Sequence, residues 1–264
     1  MDVPHRLHPA LVGLLDRMQG YEYDLDPQAV HHGVAGPSAT VIISFDEPLD
    51  VAWRGAPETR VQRWLLASGL HTTPVFIRTH GIQHGIQLDL TPAGCRALLG
   101  VPLSALVRGL VDHRDLPTGL PDGLHARMAA AAWPERFRLL ETHLLRLAGR
   151  SRAALPQDLA YAWQRLGETH GRLRVSELAD TVGWSRRHLV NRFTTEFGLP
   201  PRDIARLHRF GAALTLARTG LAWGEVAARA GYADQPHLVR EFRTLAAQTP
   251  TGWRAEVFPI VSET

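Results

Sequence analysis

The chain has 264 residues, 45% of them hydrophobic, which is enough apolar material for two globular cores. No apolar run approaches the roughly 20 residues that cross a bilayer, and the single Cys95 excludes an intramolecular disulfide. All 29 basic residues are arginine and face 26 acids, a modest net charge of +3 that excludes a strongly polycationic coat. The N-terminal residues, Met1 to Arg6, lack the apolar stretch of a signal peptide, so the cytoplasm is the expected compartment. The charge is unevenly spread. Residues 1–156 hold 15 Arg against 15 acids, whereas residues 157–258 hold 14 Arg against 10, a basic excess that suits a nucleic-acid partner.

In chain order, short runs of branched and aromatic residues bounded by Gly, Pro and Ser predict strands at 41–45, 50–53, 61–67, 75–79 and 85–90. Together they predict an antiparallel sheet or small barrel. Thr91 and Pro92 then offer an N-cap followed by proline at the first helical position, opening a helix through Leu99. Further helices are expected at 103–110, 124–132, 135–147 and 157–170, with Pro102, Pro121, Pro134 and Pro156 near their starts. The Gly149 to Pro156 stretch is the expected boundary between a β-rich domain, 1–150, and a helical one, 157–258. The expected class is therefore α+β.

An internal repeat dominates the second part. Glu177-Leu-Ala-Asp-Thr-Val-Gly183 returns as Glu225-Val-Ala-Ala-Arg-Ala-Gly231, an offset of 48, and His188-Leu-Val-Asn-Arg-Phe193 returns as His237-Leu-Val-Arg-Glu-Phe242, an offset of 49. One extra residue, Ala233, enters the second turn. The first helix of each copy places an apolar stripe at i, i+3, i+4 and i+7: Val175, Leu178, Ala179 and Val182, then Trp223, Val226, Ala227 and Ala230. Gly183 and Gly231 stand where a helix ends in a left-handed turn, and Ser185 and Asp234 are N-caps for the following helix. Helix, glycine turn and capped helix make a helix-turn-helix, twice.

In the second helix of each copy, Leu189 and Phe193, or Leu238 and Phe242, set the inward face. At roughly 100° per residue the opposite face holds Arg187, Asn191 and Thr194 in the first copy and Pro236, Arg240 and Arg243 in the second. Arg pairs with the acceptor edge of guanine and Asn with adenine, so these types suit base reading. Ser185 and Arg186, at the cap and first turn, either reach phosphates or serve only their helix. Between the copies, Ile204, Leu207, Gly211 and Leu214 predict one helix over 202–218, about 25 Å long, able to hold two recognition helices one DNA turn apart.

This architecture resembles the AraC/XylS family of transcription regulators over about 173–254, through Gly-Trp-Ser-Arg-Arg-His-Leu (183–189), Phe-Gly-Leu-Pro-Pro (197–201), and the Gly231-Tyr232, His237-Leu238, Arg240-Glu241-Phe242 and Thr249-Pro250 elements. The resemblance implies base-facing positions at Arg187, Val190 and Asn191, and at Gln235, Pro236, His237 and Arg240. Two departures stand out: Arg192 occupies a commonly apolar position, and Pro236 offers no donor where a polar side chain is common. The first unit is therefore expected to read more bases. Gly94 to Leu103 resembles, more weakly, the family's sensor half, which senses a small-molecule effector or mediates dimerisation. The implied partners are double-stranded DNA, an effector, a second copy, and RNA polymerase if the protein is an activator, with no membrane partner.

Two rival readings predict different behaviour. An N-terminal enzyme targeted to DNA would need a nucleophile set, a phosphate loop or a metal cluster, and none is seen: His80 and His84, on extended chain, stand about 13 Å apart. No catalytic residues, metal or cofactor are therefore expected. An architectural DNA-binding protein would show little sequence preference. Cys95 reads as a small buried filler or, less simply, as a redox sensor. Trp53, Trp64, Phe76 and Ile86 read as core or as walls of an effector pocket.

Overall fold

The computed structural model describes residues 1–255, so the last part of the expected helical domain lies outside the described residues. Two compact units are present: one comprises Met1–His31, Ser38–Gly69 and Phe76–Leu155, the other His32–Pro37, Leu70–Val75 and the chain from Pro156. The N-terminal part is an antiparallel β-rich domain and the C-terminal part is helical.

Among the described residues ten strands make two sheets. Strands β1 (Asp2–Pro4), β2 (Leu15–Asp24), β9 (Ile82–Leu90), β4 (Ala39–Ser44), β7 (Leu65–Ser68) and β10 (Val111–Asp112) lie in that order in one sheet. The other runs β3 (Val30–Gly33), β8 (Val75–Arg78), β5 (Leu49–Trp53), β6 (Ala56–Arg63). The expected strand 61–67 is in fact two, because the chain turns at Trp64 and passes from one sheet to the other. The long β2 was not expected. Its Gly20 looks like a breaker in the sequence, yet a Cβ there would fall 2.3 Å from the Trp133 ring, so the glycine makes room for a packed indole.

In the six-stranded sheet the register sets Arg17 opposite Asp89 and Gln19 opposite Gln87. Cross-strand partners share a face, so this face carries a polar cluster. Asp89 is buried, takes the Arg17 Nε–H at 2.8 Å, and accepts from Gln87 Nε2 at 2.8 Å. Burial pushes its carboxyl above the usual range, and Arg17 opposes that shift. The opposite face is apolar, with Ile86, Leu88, Leu90, Val41 and Ile43 buried.

Helical segments follow β9. Thr91 caps α1 (Pro92–Gly94) by accepting from the Gly94 amide at 3.0 Å, and a wider helical turn continues through Cys95–Leu99. Cys95 is fully buried. The expected helix 103–110 is only a 3-10 turn, Leu103–Leu106; Arg108 at φ 54° and Gly109 end it, and β10 follows. Then come α2 (Leu124–Ala129) and α3 (Trp133–Arg150).

Helices α4 (Gln157–Glu168), α5 (Val175–Thr181), α6 (Arg186–Phe197), α7 (Pro201–Arg218), α8 (Trp223–Ala230), α9 (Gln235–Leu245) and α10 (Pro250–Ala255) form the C-terminal part. Their apolar stripes meet in aromatic clusters. Phe193 stands edge-on to Phe197 at 4.9 Å, and Phe242 meets Phe210, Trp223 and Trp253 at 5.0, 5.5 and 5.8 Å. Such edge-to-face pairs add about 0.5–1.5 kcal/mol each beyond burial. Among the described residues no helix is long and apolar enough to cross a membrane.

Candidate nucleic-acid interface

The repeat seen in the sequence recurs bond for bond at the turns. The Trp184 amide donates to Ala179 O at 2.9 Å, and the Tyr232 amide donates to Ala227 O at 2.9 Å. Gly183 (φ 69°) and Gly231 (φ 83°) supply the left-handed residue that each of these helix-ending motifs requires. One bond further on, Ser185 Oγ accepts the His188 amide at 3.2 Å, and Asp234 Oδ1 accepts the His237 amide at 2.7 Å. The rings of Trp184 and Tyr232 then stand nearly perpendicular to His188 and His237, at 4.8 and 5.2 Å. In each pair the turn aromatic and the first-turn histidine of the following helix lock the turn against that helix.

These locks decide which faces remain open. In α6, Leu189, Phe193 and Phe197 are fully buried, while Arg186, Arg187, Val190, Asn191 and Thr194 are exposed. Thr194 Oγ1 donates to Val190 O at 2.9 Å. In α9, Leu238, Phe242 and Leu245 are buried, while Gln235, Pro236, Arg240 and Arg243 are exposed; His237 is half-buried against Tyr232. No side-chain partner holds Arg187, Asn191 or Arg240 among the described residues. The geometry therefore offers two short helices, each with donors on a face turned away from its core.

Both departures noted from the sequence have physical explanations. Arg192, exposed on α6, lays its guanidinium 5.9 Å from the Trp184 ring centre, a cation-π contact that gives this charge a place at a commonly apolar position. Pro236 sits in the first turn of α9, where the amide it lacks would have had no intrahelical partner, and Asp234 caps the next amide. Pro236 thus costs the helix nothing. Ser185 serves its helix as a cap.

Elsewhere, the histidines singled out in the sequence are spent on carboxylates: His80 Nε2 lies 3.0 Å from Asp50 and His84 Nδ1 3.0 Å from Asp46. No cluster of three or more metal-ligating side chains occurs among the described residues. Of the residues read as core or pocket wall, Ile86 is fully buried and Trp64 is 44% exposed.

The family described as a helix-turn-helix domain matches residues 178–256, a span that contains all of α7 and both helix pairs except the first three residues of α5. Residues 178–256 are an AraC/XylS-type helix-turn-helix domain. A helix-turn-helix domain of this type is a DNA-binding module. The chain is 31% identical over 88 residues to uncharacterised HTH-type transcriptional regulators of Staphylococcus aureus strains MSSA476 and N315, covering 33% of this chain but only 12% of theirs. Among solved structures, the chain's fold is similar to that of an apo ToxT variant from Vibrio cholerae, with a TM-score of 0.59, 9% identity, and coverage of 91% of this chain and 98% of that one. ToxT bound to an unsaturated fatty acid is similar with a TM-score of 0.57 and 10% identity, covering 95% and 99%.

Residues 171, 206, 209 and 241 escaped the sequence reading. They join the two helix pairs through α7, and no local pattern marks them, since the partners lie 35 and 38 positions apart.

Proposed function

We propose that the chain is a sequence-specific transcription regulator in which α6 and α9 both read DNA, each in its own major groove. The observation that carries this reading is the matched cap-and-turn geometry, with Arg187 and Asn191 on one helix and Arg240 on the other exposed and without side-chain partners among the described residues. Arg187 and Arg240 suit guanine, Asn191 suits adenine, and Val190 and the Thr194 methyl suit the thymine methyl. Ser185, Arg186, Gln235 and Arg243 flank these positions and reach phosphate or base edges, and His237 and Pro236 shape the floor of the second contact. With Pro236 spending a position on rigidity, α6 carries more of the base discrimination than α9.

In this reading residues 157–258 bind DNA, and residues 1–150 sense an effector or mediate pairing with a second copy. A fold shared with ToxT, which has been crystallised with a fatty acid, supports a small-molecule effector for the N-terminal domain. RNA polymerase joins the partners if the protein activates, and the cytoplasm is the compartment. The test is selection of binding sites from random duplex DNA by the full chain. A bipartite site with half-sites about one helical turn apart, bound less tightly as salt rises, supports the proposal. Enrichment of no sequence would favour a purely architectural role.

A further inference from the structure

Beyond the two reading faces, the helical part contains a set of contacts that ties the first helix pair to the second. The turn that precedes α5 is pressed onto α7: Gly171, at φ 65°, has its Cα so close that a Cβ would fall 1.8 Å from Ala205 O. Its carbonyl accepts from Arg209 Nη2 at 2.8 Å. The same Arg209 guanidinium lies 5.9 Å from the ring centre of Tyr232, the turn aromatic of the second pair. One turn back on α7, Arg206 Nε donates to Glu241 Oε2 on α9 at 2.7 Å, with Glu241 only 12% exposed. The proximity raises the Arg206 pKa. The turn before α5 also touches the second pair directly, since a Cβ on Gly231 would meet Cγ and Cδ of Arg172 at 3.0 Å.

These contacts need not be there for either pair to fold. Each pair has its own stripe, turn and caps, and α7 already connects them covalently. What the bridge adds is directional restraint: Phe242 already seats α9 on Phe210 of α7, and the polar contacts of Arg206 and Arg209 act on top of that apolar seat. Arg206 holds α9 itself, and Arg209 holds the turn before it while also gripping the turn before α5.

We propose that Arg206 and Arg209 are positioning residues that set the phase between α6 and α9, and thereby make the protein selective for one spacing between its two half-sites. The inference rests on the two-helix reading above. Adding one base pair between half-sites moves the second by about 3.4 Å and rotates it by roughly 35°, which a rigid bridge rejects and a loose one follows.

The test uses the full chain and the operator that the wild type selects from random DNA. A panel of duplexes keeps both half-sites but varies the spacer by one and two base pairs in each direction. The wild type is expected to disfavour each altered spacer by about tenfold or more, the effect of a lost base-pair contact set. In Arg209→Ala and Arg206→Gln that preference should fall to about threefold or less, while the half-site bases each variant selects stay unchanged. Arg172→Ala, at an exposed position, provides a variant that leaves the ion pair and caps in place and should loosen spacing to a smaller degree. Thermal melts of each variant read stability separately. If both arginine variants keep the wild-type spacing profile and lose affinity equally on every duplex, the proposal is overturned while the two-helix reading stands. If the wild type enriches only a single half-site, the two-helix reading falls and this proposal falls with it.

Discussion

His208 turns the packing of the helical part into a pH dependence that can be calculated. It lies on α7 against α4, with its ring 5.4 Å from Trp163 and its Cε1 about where a Cβ on Gly167 would touch. The ring edge keeps some exposure, but Nε2 is sealed from solvent and has no hydrogen-bond partner among the described residues. Burial first, and His170 second, lower its pKa from 6.5 to about 4. Between those values the unfolded chain binds a proton that the folded chain refuses, so stability falls as pH drops from about 6.5 toward 4. Integrating the linkage, this one group costs about 2 kcal/mol between pH 7 and pH 5 and about 3 kcal/mol by pH 4. Urea unfolding of the full chain at pH 7, 6 and 5, followed by tryptophan fluorescence, measures the loss. His208→Gln starts from a lower stability but lacks the titration, so the wild-type and variant curves should converge by about 2 kcal/mol at pH 5. Parallel curves would show that His208 is protonated freely in the folded state and refute the reasoning.

Other substitutions probe separate parts of the account. Arg17→Ala strands the buried Asp89 carboxylate and should cost about 3–5 kcal/mol in denaturant unfolding, whereas Asp89→Asn, which removes the charge, should cost clearly less. Gly171→Ala combines a left-handed φ with a Cβ 1.8 Å from Ala205 O, and so should be far worse than Gly183→Ala, where open space leaves only the backbone cost of about 1 kcal/mol. Removing a cap with Ser185→Ala or Asp234→Ala should each cost about 1 kcal/mol, read as lower melting temperatures.

The helical part was legible in the sequence because its signals are local. Gly183 and Gly231, Ser185 and Asp234, and the stripes on α5 and α8 each act within one turn of chain, and each reappears in the structure at the expected residue. The helix expected at 202–218 runs from Pro201 to Arg218. What was not legible depends on residues distant in sequence. Strand β2 mixes charged and apolar residues around Gly20, and only Trp133, more than a hundred positions later, shows why that glycine belongs in a strand. The break at Trp64 follows from which sheet each half joins, a matter of long-range pairing rather than composition. Arg192 was conspicuous as a departure, but the Trp184 face that accommodates it became visible only in three dimensions. Exposure of Arg187, Asn191 and Arg240 agrees with helical periodicity, while their contacts to bases belong to the proposal.

The most direct measurement of that proposal compares Arg187→Ala and Arg240→Ala with the wild type on the selected operator, scoring affinity for every single-base change in both half-sites. Arg187→Ala is expected to lose about 1–3 kcal/mol and relax base preference in one half-site only, and Arg240→Ala to do the same in the other. Uniform loss across all duplexes, with every base preference intact in both variants, would contradict the claim that α6 and α9 read DNA through these faces.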